Sequence, residues 1–416
     1  MLSEGAVMKK VLMIAYHFPP MVSVGVLRTL KFAKYLPRFE WKPAILTVRN
    51  PDPLAYKLDP QHMKEKLKDV KVYKSWDFPL SWAVKGLRLL GINGKWFFVP
   101  DSLYAWFFTS IFVGKKIIEK EKIDAIYATG PPQTAFLVGA FLKRICNRPL
   151  VIDFRDLWIN NPFVSYPSKI HYRLERRMEE WVLEQADVVA VVCQSLKSEL
   201  VQSFPFLNES KIYVISNGFD PDDFDEVTPR SFGKFTILHA GSIYGPRVRE
   251  FKLLLEAVDH LIHSRSVLAE DFQLIFVGYL ARAARKIMGD LNLPNVHYVG
   301  VKHHHEIIEL MLGSDVLLLI PGASENITAK IFEYLAAGKF ILNLSDWDGE
   351  ASELINEMQV GKTVKTNPIA LRDALYEILT LQRVKVKVDS KKLNRFSRFN
   401  LTKMLASRLN SVVLKR

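Results

Sequence analysis

The feature that most constrains this chain is an alternation. Short runs of Val, Ile and Leu are followed, again and again, by segments whose apolar residues fall at helical spacing. In the first half such runs are Lys10-Val-Leu-Met-Ile-Ala-Tyr16, Trp41-Lys-Pro-Ala-Ile-Leu-Thr-Val48, Ile123-Asp-Ala-Ile-Tyr-Ala-Thr129 and Ala186-Asp-Val-Val-Ala-Val-Val-Cys193. In the second they are Phe235-Thr-Ile-Leu-His-Ala-Gly241, Phe272-Gln-Leu-Ile-Phe-Val-Gly278 and Val316-Leu-Leu-Leu-Ile320. A near-continuous apolar run reads as a strand buried on both faces, and such strands sit in parallel sheets covered by crossover helices. The fold class is therefore α/β. Between Pro221 and Gly233 the chain turns polar and is punctuated by Pro and Gly, which marks a boundary. A length of 416 residues suits two domains. The predicted division is 1–225, 226–390, and a terminal helix over 391–416 bearing Phe396, Phe399, Leu401, Met404, Leu405 and Leu409.

The stretch after Val316–Ile320 holds the most chemistry. Pro321 and Gly322 break the strand, and a helix follows with Ile327, Ile331, Tyr334 and Leu335 on one face. Gly338 is placed to stop it as a C′ residue. Glu325 lies in the loop before this helix and Glu333 about two turns beyond. Free N–H groups and the positive end of the helix dipole suit a phosphate there. The carboxylates suit sugar and ribose hydroxyls. An anion cradle flanked by two hydroxyl acceptors describes a sugar-nucleotide site.

At this point the sequence resembles a known family. Glu325 to Glu333 matches the E-x7-E motif of retaining GT-B glycosyltransferases, and Lys330-Ile-Phe-Glu-Tyr-Leu-Ala-Ala-Gly338 resembles family 4 (group 1) of that class. The resemblance covers nearly the whole chain, most clearly 10–48, 150–158, 211–220, 235–249 and 296–345. It implies a GT-B fold of two Rossmann-like domains facing across a cleft, with the terminal helix packing back on the first. It implies transfer of a hexosyl or N-acetylhexosaminyl group from a UDP- or GDP-sugar to a hydroxyl acceptor, with retention. The donor is a substrate; no cofactor and no metal are expected.

The resemblance also assigns roles. Glu333 would hold the ribose and Glu325 would orient the transferred sugar. Arg247 and Lys330 would neutralise the diphosphate, helped by N–H groups near Ile327 and Thr328. Arg249 and Ser242 share the loop with Arg247; some members carry an arginine where this chain has Ser242. Gly25, in the loop after the first strand, would lie near the donor diphosphate. The strand Leu150–Phe154 delivers Arg155, Asp156 and Trp158 to its carboxyl edge, where ligands of open α/β sheets bind. Asp156 is the candidate there, with Asp153 the alternative; Arg155 replaces a histidine found in other members.

Other features limit the choice. No G-x-G-x-x-G follows the first strand, so a dinucleotide fingerprint is absent. His303-His304-His305 lacks zinc-like spacing to further ligands and reads as an exposed helix start. Asp223-Phe-Asp225 and Asp346-Trp-Asp348 read as turns. Ser168 is placed to cap a helix through Ala186 whose apolar stripe would be Ile170, Leu174, Met178, Trp181 and Val182, leaving Glu175 and Glu179 in solvent. The net charge of +13 suits an anionic partner, yet no nucleic-acid motif is present and none is expected as a partner.

Residues 76–118 mix many aromatics with lysine and arginine, as suits either a domain core or the headgroup layer of an anionic membrane. Both readings stay open. Pro100 and Asp101 interrupt Trp96–Val113, leaving too few apolar residues to span a bilayer. Met1–Val7 has no basic n-region, so it is not read as a signal peptide. Only Cys146 and Cys193 occur, which suits a reducing compartment. The expected location is cytoplasmic, peripheral on the inner face of the cell membrane, with a sugar or lipid-linked acceptor. Two other classes are a GT-B sugar-nucleotide epimerase and a non-catalytic membrane-associated nucleotide-sugar-binding protein.

Overall fold

The structure, a computed structural model, describes residues 8–21, 24–51, 70–78, 80–161, 164–264, 266–322, 327–381 and 384–414. Glu325 lies outside the described residues. The chain forms two compact units, Met1–Asn217 with Arg398–Arg416, and Gly218–Ser397.

The first unit contains β1 (Lys9–Ile14), α1 (Val24–Tyr35), β2 (Trp41–Val48), β3 (Lys71–Ser75), α2 (Ser81–Leu89), α3 (Tyr104–Glu121), β4 (Ala125–Gly130), α4 (Gln133–Cys146), β5 (Leu150–Phe154), α5 (Lys169–Gln185), β6 (Val188–Val191), α6 (Gln194–Ser203) and β7 (Ile212–Val214). The second contains β8 (Phe235–Ala240), α7 (Arg247–His263), β9 (Phe272–Val277), α8 (Arg282–Leu291), β10 (Val296–Gly300), α9 (His304–Gly313), β11 (Val316–Leu319), α10 (Lys330–Ala337), β12 (Phe340–Leu344), α11 (Glu350–Met358), β13 (Gly361–Val364), α12 (Pro368–Leu381) and α13 (Ser390–Asn394). Then α14 (Arg398–Val413) returns to the first unit.

Both sheets are parallel and Rossmann-like. The first runs β3-β2-β1-β4-β5-β6-β7 and the second β10-β9-β8-β11-β12-β13. In the second unit successive strand residues feed opposite faces, the period-2 rule of a strand. Val316 and Leu318 of β11 join α7, α8 and α12 in one core, while Leu317 and Leu319 join α9, α10 and α11 in the other. That is why β11 is apolar at every position: both of its faces are buried.

Two expectations are corrected. The tail is two helices rather than one. Phe396 stacks on Phe332 with ring centroids 4.9 Å apart, and its carbonyl accepts from Phe219 N at 3.2 Å, which holds α13 on the second unit. Leu401, Leu405 and Leu409 instead fill the core under β1 and α1, and Lys9 Nζ donates to Asn410 Oδ1 at 2.8 Å. The two ends of this tail serve different cores, so the helix breaks between them.

The second correction concerns α5. Ser168 caps it, accepting from Ile170 N and His171 N. But Ile170 is 73% exposed, while Glu175 and Glu179 are buried. The buried stripe is Glu175, Glu179, Val182 and Leu183. The loop after β5 donates to both side chains: Trp158 Nε1 to Glu175 Oε2 at 2.9 Å and Ile159 N to Glu179 Oε2 at 3.1 Å. A loop that tucks its backbone and an indole inward needs acceptors there.

Candidate functional site

Each sheet reverses its strand order once, between β1 and β4 in the first unit and between β8 and β11 in the second. Ligands of open parallel sheets bind at such reversals, beyond the carboxyl ends of the strands. In the second unit, β8 leads through Gly241-Ser-Ile-Tyr-Gly-Pro246 into α7, whose first residue is Arg247. The segment after β11 leads into α10, whose first residue is Lys330. Two helices thus begin with a cation at the same reversal.

Arg247 bridges the two loops. Its Nε donates to the Pro321 carbonyl at 3.2 Å and its Nη1 to the Ser242 carbonyl at 3.4 Å, and its guanidinium lies 5.3 Å from the centroid of the Tyr244 ring. Lys330 comes from the other side, over Gly241. A Cβ built at Gly241 would lie 1.8 Å from Lys330 Nζ and 3.1 Å from His239 Nε2. Only glycine leaves the ammonium that place. Burial pushes the Lys330 pKa down to about 8, with Arg247 adding to the fall and Glu333 opposing it. Two cations in one partly buried pocket attract an anion.

His239 completes the floor. Its Nδ1 lies 2.9 Å from the Leu318 carbonyl; a carbonyl only accepts, so Nδ1 carries the proton and Nε2 is an acceptor. Nε2 is buried and makes no hydrogen bond. Burial, then Lys330, hold this imidazole neutral, with a pKa of about 3. Tyr334 fastens the floor: its hydroxyl accepts from Ala240 N at 2.9 Å and donates to the Leu318 carbonyl at 3.2 Å, which joins the ends of β8 and β11. Ile327 and Thr328, half-buried, stand just before α10, and the Thr328 hydroxyl oxygen is buried with no hydrogen-bond partner.

Glu333 lies one turn beyond Lys330 and is half-buried. Its Oε1 is 2.9 Å from His304 Nε2, and His304 Nδ1 is 3.9 Å from Asp223 Oδ2. His304 is therefore not a plain surface residue. His303 caps α9 together with Glu306, and His305 pairs with Glu309 at 3.0 Å, so the three adjacent histidines do three different things. Among the described residues no group of three or more His, Cys, Asp and Glu is placed to hold a metal.

Arg249 stands apart from this cluster. It is exposed, and its Nη1 lies 3.5 Å from Asp346 Oδ2. Asp346 is in turn fixed by Thr366 N at 2.7 Å. Ser242 contributes its backbone carbonyl to Arg247.

In the first unit the sequence candidates divide. Asp153 is fully buried and fully engaged: it accepts from Arg28 Nε at 2.9 Å, Arg28 Nη2 at 2.7 Å, Tyr127 Oη at 2.7 Å and Thr129 Oγ1 at 2.8 Å. Arg28 also donates to the carbonyls of Ile215 and Ser216, both at 2.7 Å. This pair ties α1, β4 and β5 together and has no capacity left for a substrate. The Arg155 guanidinium is held by backbone carbonyls: its Nε donates to the Gly130 carbonyl at 3.2 Å and its Nη2 to the Pro131 carbonyl. The sequence reading leaves Gly25 open to a ligand. In the structure that space holds Arg155, whose Nη1 would be 1.9 Å from a Cβ at Gly25. Asp156 is left exposed at the carboxyl end of β5. Sequence patterning points to neither His239 nor His304 as a site residue; the available signal is a histidine near the end of a mostly apolar strand, and a histidine at a helix start beside two others.

Residues 26–223 match the family model Glycosyltransferase Family 4, and residues 234–380 match Glycosyl transferases group 1. Among curated proteins none matches the chain. Solved structures similar to it include sucrose-phosphate synthase from Thermosynechococcus elongatus, at 16% identity, 97% of this chain, 95% of that chain and TM-score 0.65. A glycosyltransferase from Rickettsia africae aligns at 18% identity, 97% and 94% coverage and TM-score 0.61. The Anabaena protein HepE in complex with UDP aligns at 17% identity, 97% and 100% coverage and TM-score 0.65. At these identities the likeness is one of fold.

Proposed function

This chain is a glycosyltransferase of the group 1 type, with a family 4 half followed by a group 1 half, and from that premise we propose that it moves a hexosyl or N-acetylhexosaminyl group from a UDP-sugar to a hydroxyl acceptor with retention at the anomeric carbon. The observation that carries the reading is the pair of cations at the strand reversal of the second sheet, Lys330 over Gly241 and Arg247 between the Ser242 and Pro321 carbonyls. UDP is favoured over GDP because HepE, a protein of similar fold, has been solved with UDP and with UDP-glucose.

In the proposed reaction the bond between the anomeric carbon and the diphosphate breaks, a bond from that carbon to the acceptor oxygen forms, and the acceptor proton is released with the nucleoside diphosphate. Negative charge grows on the departing diphosphate. Arg247 and Lys330 face the place where that charge develops, which is where preorganised cations lower a barrier most. The Thr328 hydroxyl can supply a further donor. Glu333, held by His304, takes the ribose hydroxyls. Glu325 orients the transferred sugar, on the strength of the E-x7-E spacing, and Asp156 serves the acceptor side. Arg249 and Ser242 keep supporting places in the loop. Cys146 and Cys193, neither in a disulfide, suit the cytoplasm. We take the acceptor to be lipid-linked, in the assembly of a surface polysaccharide or glycolipid.

The test is equilibrium binding of UDP and uridine, without added metal, to the wild type and to Arg247→Ala. A large loss for UDP with little loss for uridine supports the diphosphate assignment; equal losses sink it. Incubation with a UDP-sugar and no acceptor then separates transfer from epimerisation, since an epimerase converts the donor alone.

A further inference from the structure

The aromatic stretch of the first unit divides in the structure. Trp106 of α3 is buried, but Phe78, Leu89, Leu90, Phe97, Phe108 and Phe112 remain between 61% and 88% exposed. These residues belong to one connected surface. Thr109 of α3 donates to the Trp76 carbonyl. Phe98 stacks on Tyr104 with centroids 6.2 Å apart, and the turn at Gly94 lies against Val84 of α2. Helix α3 is apolar on two sides. Trp106, Ser110, Gly114 and Ile117 face inward, while Tyr104, Phe108 and Phe112, at four-residue spacing, face solvent with Lys115 and Lys116 next in line.

The charge around this surface is mostly positive, with the exposed Glu119 of α3 lying 3.9 Å from Lys115 Nζ. Lys85, Arg88, Lys115 and Lys116 are exposed. The acidic residues between 76 and 116 are Asp77, which is buried and accepts from Tyr16 Oη at 2.8 Å, and Asp101, which accepts from Thr134 N at 2.9 Å. Between 76 and 116 no described carboxylate is exposed, and Glu119, just beyond, is the exposed acid of α3. Exposed aromatic and aliphatic side chains rimmed mainly by cations match the boundary between acyl chains and anionic headgroups. No helix among the described residues is long and apolar enough to cross a membrane, so the match is to lying on a bilayer.

We propose that this face docks the first unit on an anionic phospholipid bilayer, with Phe108 and Phe112 at the acyl boundary and Arg88 and Lys116 on headgroup phosphates. The argument is independent of the nucleotide site, and it places the enzyme where a lipid-linked hydroxyl would be presented.

The experiment is co-sedimentation of the full chain with vesicles of phosphatidylcholine alone and of phosphatidylcholine mixed with phosphatidylglycerol, for the wild type and for Phe108→Ser/Phe112→Ser. Both positions are exposed, so folding is retained, and UDP binding on the same samples checks it. The expected result is pelleting with the mixed vesicles only, weakened by salt and reduced by about tenfold in the double variant, with UDP binding unchanged. Absence of pelleting, equal pelleting with neutral vesicles, or an unaffected double variant overturns the proposal. So does a vesicle-free dimer that the double variant abolishes, because the face would then be a contact between copies. A loss of UDP binding in the wild type would count against the donor site and leave this surface standing.

Discussion

Lys330 Nζ occupies the space beside Gly241 that any larger residue would claim, 1.8 Å from the position of a Cβ there. The contact couples the loop after β8 to the start of α10, and it sets where the ammonium can meet an anion. Gly241→Ala must therefore displace Lys330, the His239 ring, or both. The expected outcome is a folded protein whose affinity for UDP falls by about tenfold or more, roughly the effect of losing one charged contact. Calorimetric titration with UDP measures it, and near-UV circular dichroism checks that the fold persists.

The depressed pKa of Lys330 gives a pH signature. In the free protein the lysine loses its proton as pH rises through about 8. For folding, the cost of burying the charged form is present below that value and relieved above it, towards the ordinary 10.5. For binding, the sign is opposite: the diphosphate needs the charged form. UDP affinity should be level below pH 8 and decline above it, and Lys330→Met should be weak throughout with no such step. Binding near pH 8 should also take up protons, visible as a dependence of the measured heat on buffer ionisation enthalpy.

His304 offers a prediction at the other end of the ligand. With Nε2 2.9 Å from Glu333 Oε1, it fixes the carboxylate that the proposal gives to the ribose. His304→Ala should weaken uridine and UDP by the same factor, several-fold, whereas Arg247→Ala should act on UDP alone. Tighter binding in His304→Ala would mean that the histidine competes with the ribose, and the assignment of a positioning role would fall.

These residues differ in how far the sequence reveals them. Most of the strands were legible because apolar runs such as Val316–Ile320 have few other uses in a protein of this size, whereas their order in each sheet comes from the structure. Arg247 and Lys330 were legible because each is the first helical residue after a strand and a glycine. His304 was not, since three adjacent histidines at a helix start look alike until α10 brings Glu333 to one of them. Helix α5 was misread for a similar reason. Its Ile170, Leu174, Met178 and Trp181 make an apolar stripe at good spacing, yet the buried stripe carries Glu175 and Glu179 because the loop after β5 brings donors to it. Periodicity cannot anticipate a donor that arrives from a distant loop. The aromatic stretch was undecidable because core and membrane face draw on the same residue types, and only exposure separates Trp106 from Phe108.

The Arg28–Asp153 pair is expected to matter for stability rather than turnover. Both side chains are buried, at 2.7 Å from each other. Removing one partner leaves a buried charge uncompensated, so Arg28→Met should destabilise the first unit by about 3–5 kcal/mol. Adding Asp153→Asn, which keeps an acceptor for Tyr127 and Thr129 without the charge, should restore part of that loss. Urea unfolding followed by tryptophan fluorescence measures both; a double variant no better than the single would show that the charge is not the cause.

Glu179 gives the clearest pH effect on stability. Burial pushes its pKa up from 4.5 to about 8, the Ile159 N–H opposes the rise, and Glu175 adds to it. Its Oε1 is buried with no hydrogen-bond partner. The folded chain therefore holds a proton on Glu179 that the unfolded chain releases above about 4.5. Stability from this group is greatest below that value and is lost progressively as pH rises to about 8. Glu179→Gln keeps an oxygen to accept from Ile159 and cannot ionise. It should match the wild type near pH 5 and exceed it increasingly towards pH 8, by on the order of a few kcal/mol at the upper end. Melting temperatures of both proteins across this range decide the matter: parallel curves would mean that Glu179 is already ionised in the folded chain, and that the loop carrying Asp156 is anchored on a carboxylate rather than on a neutral acid.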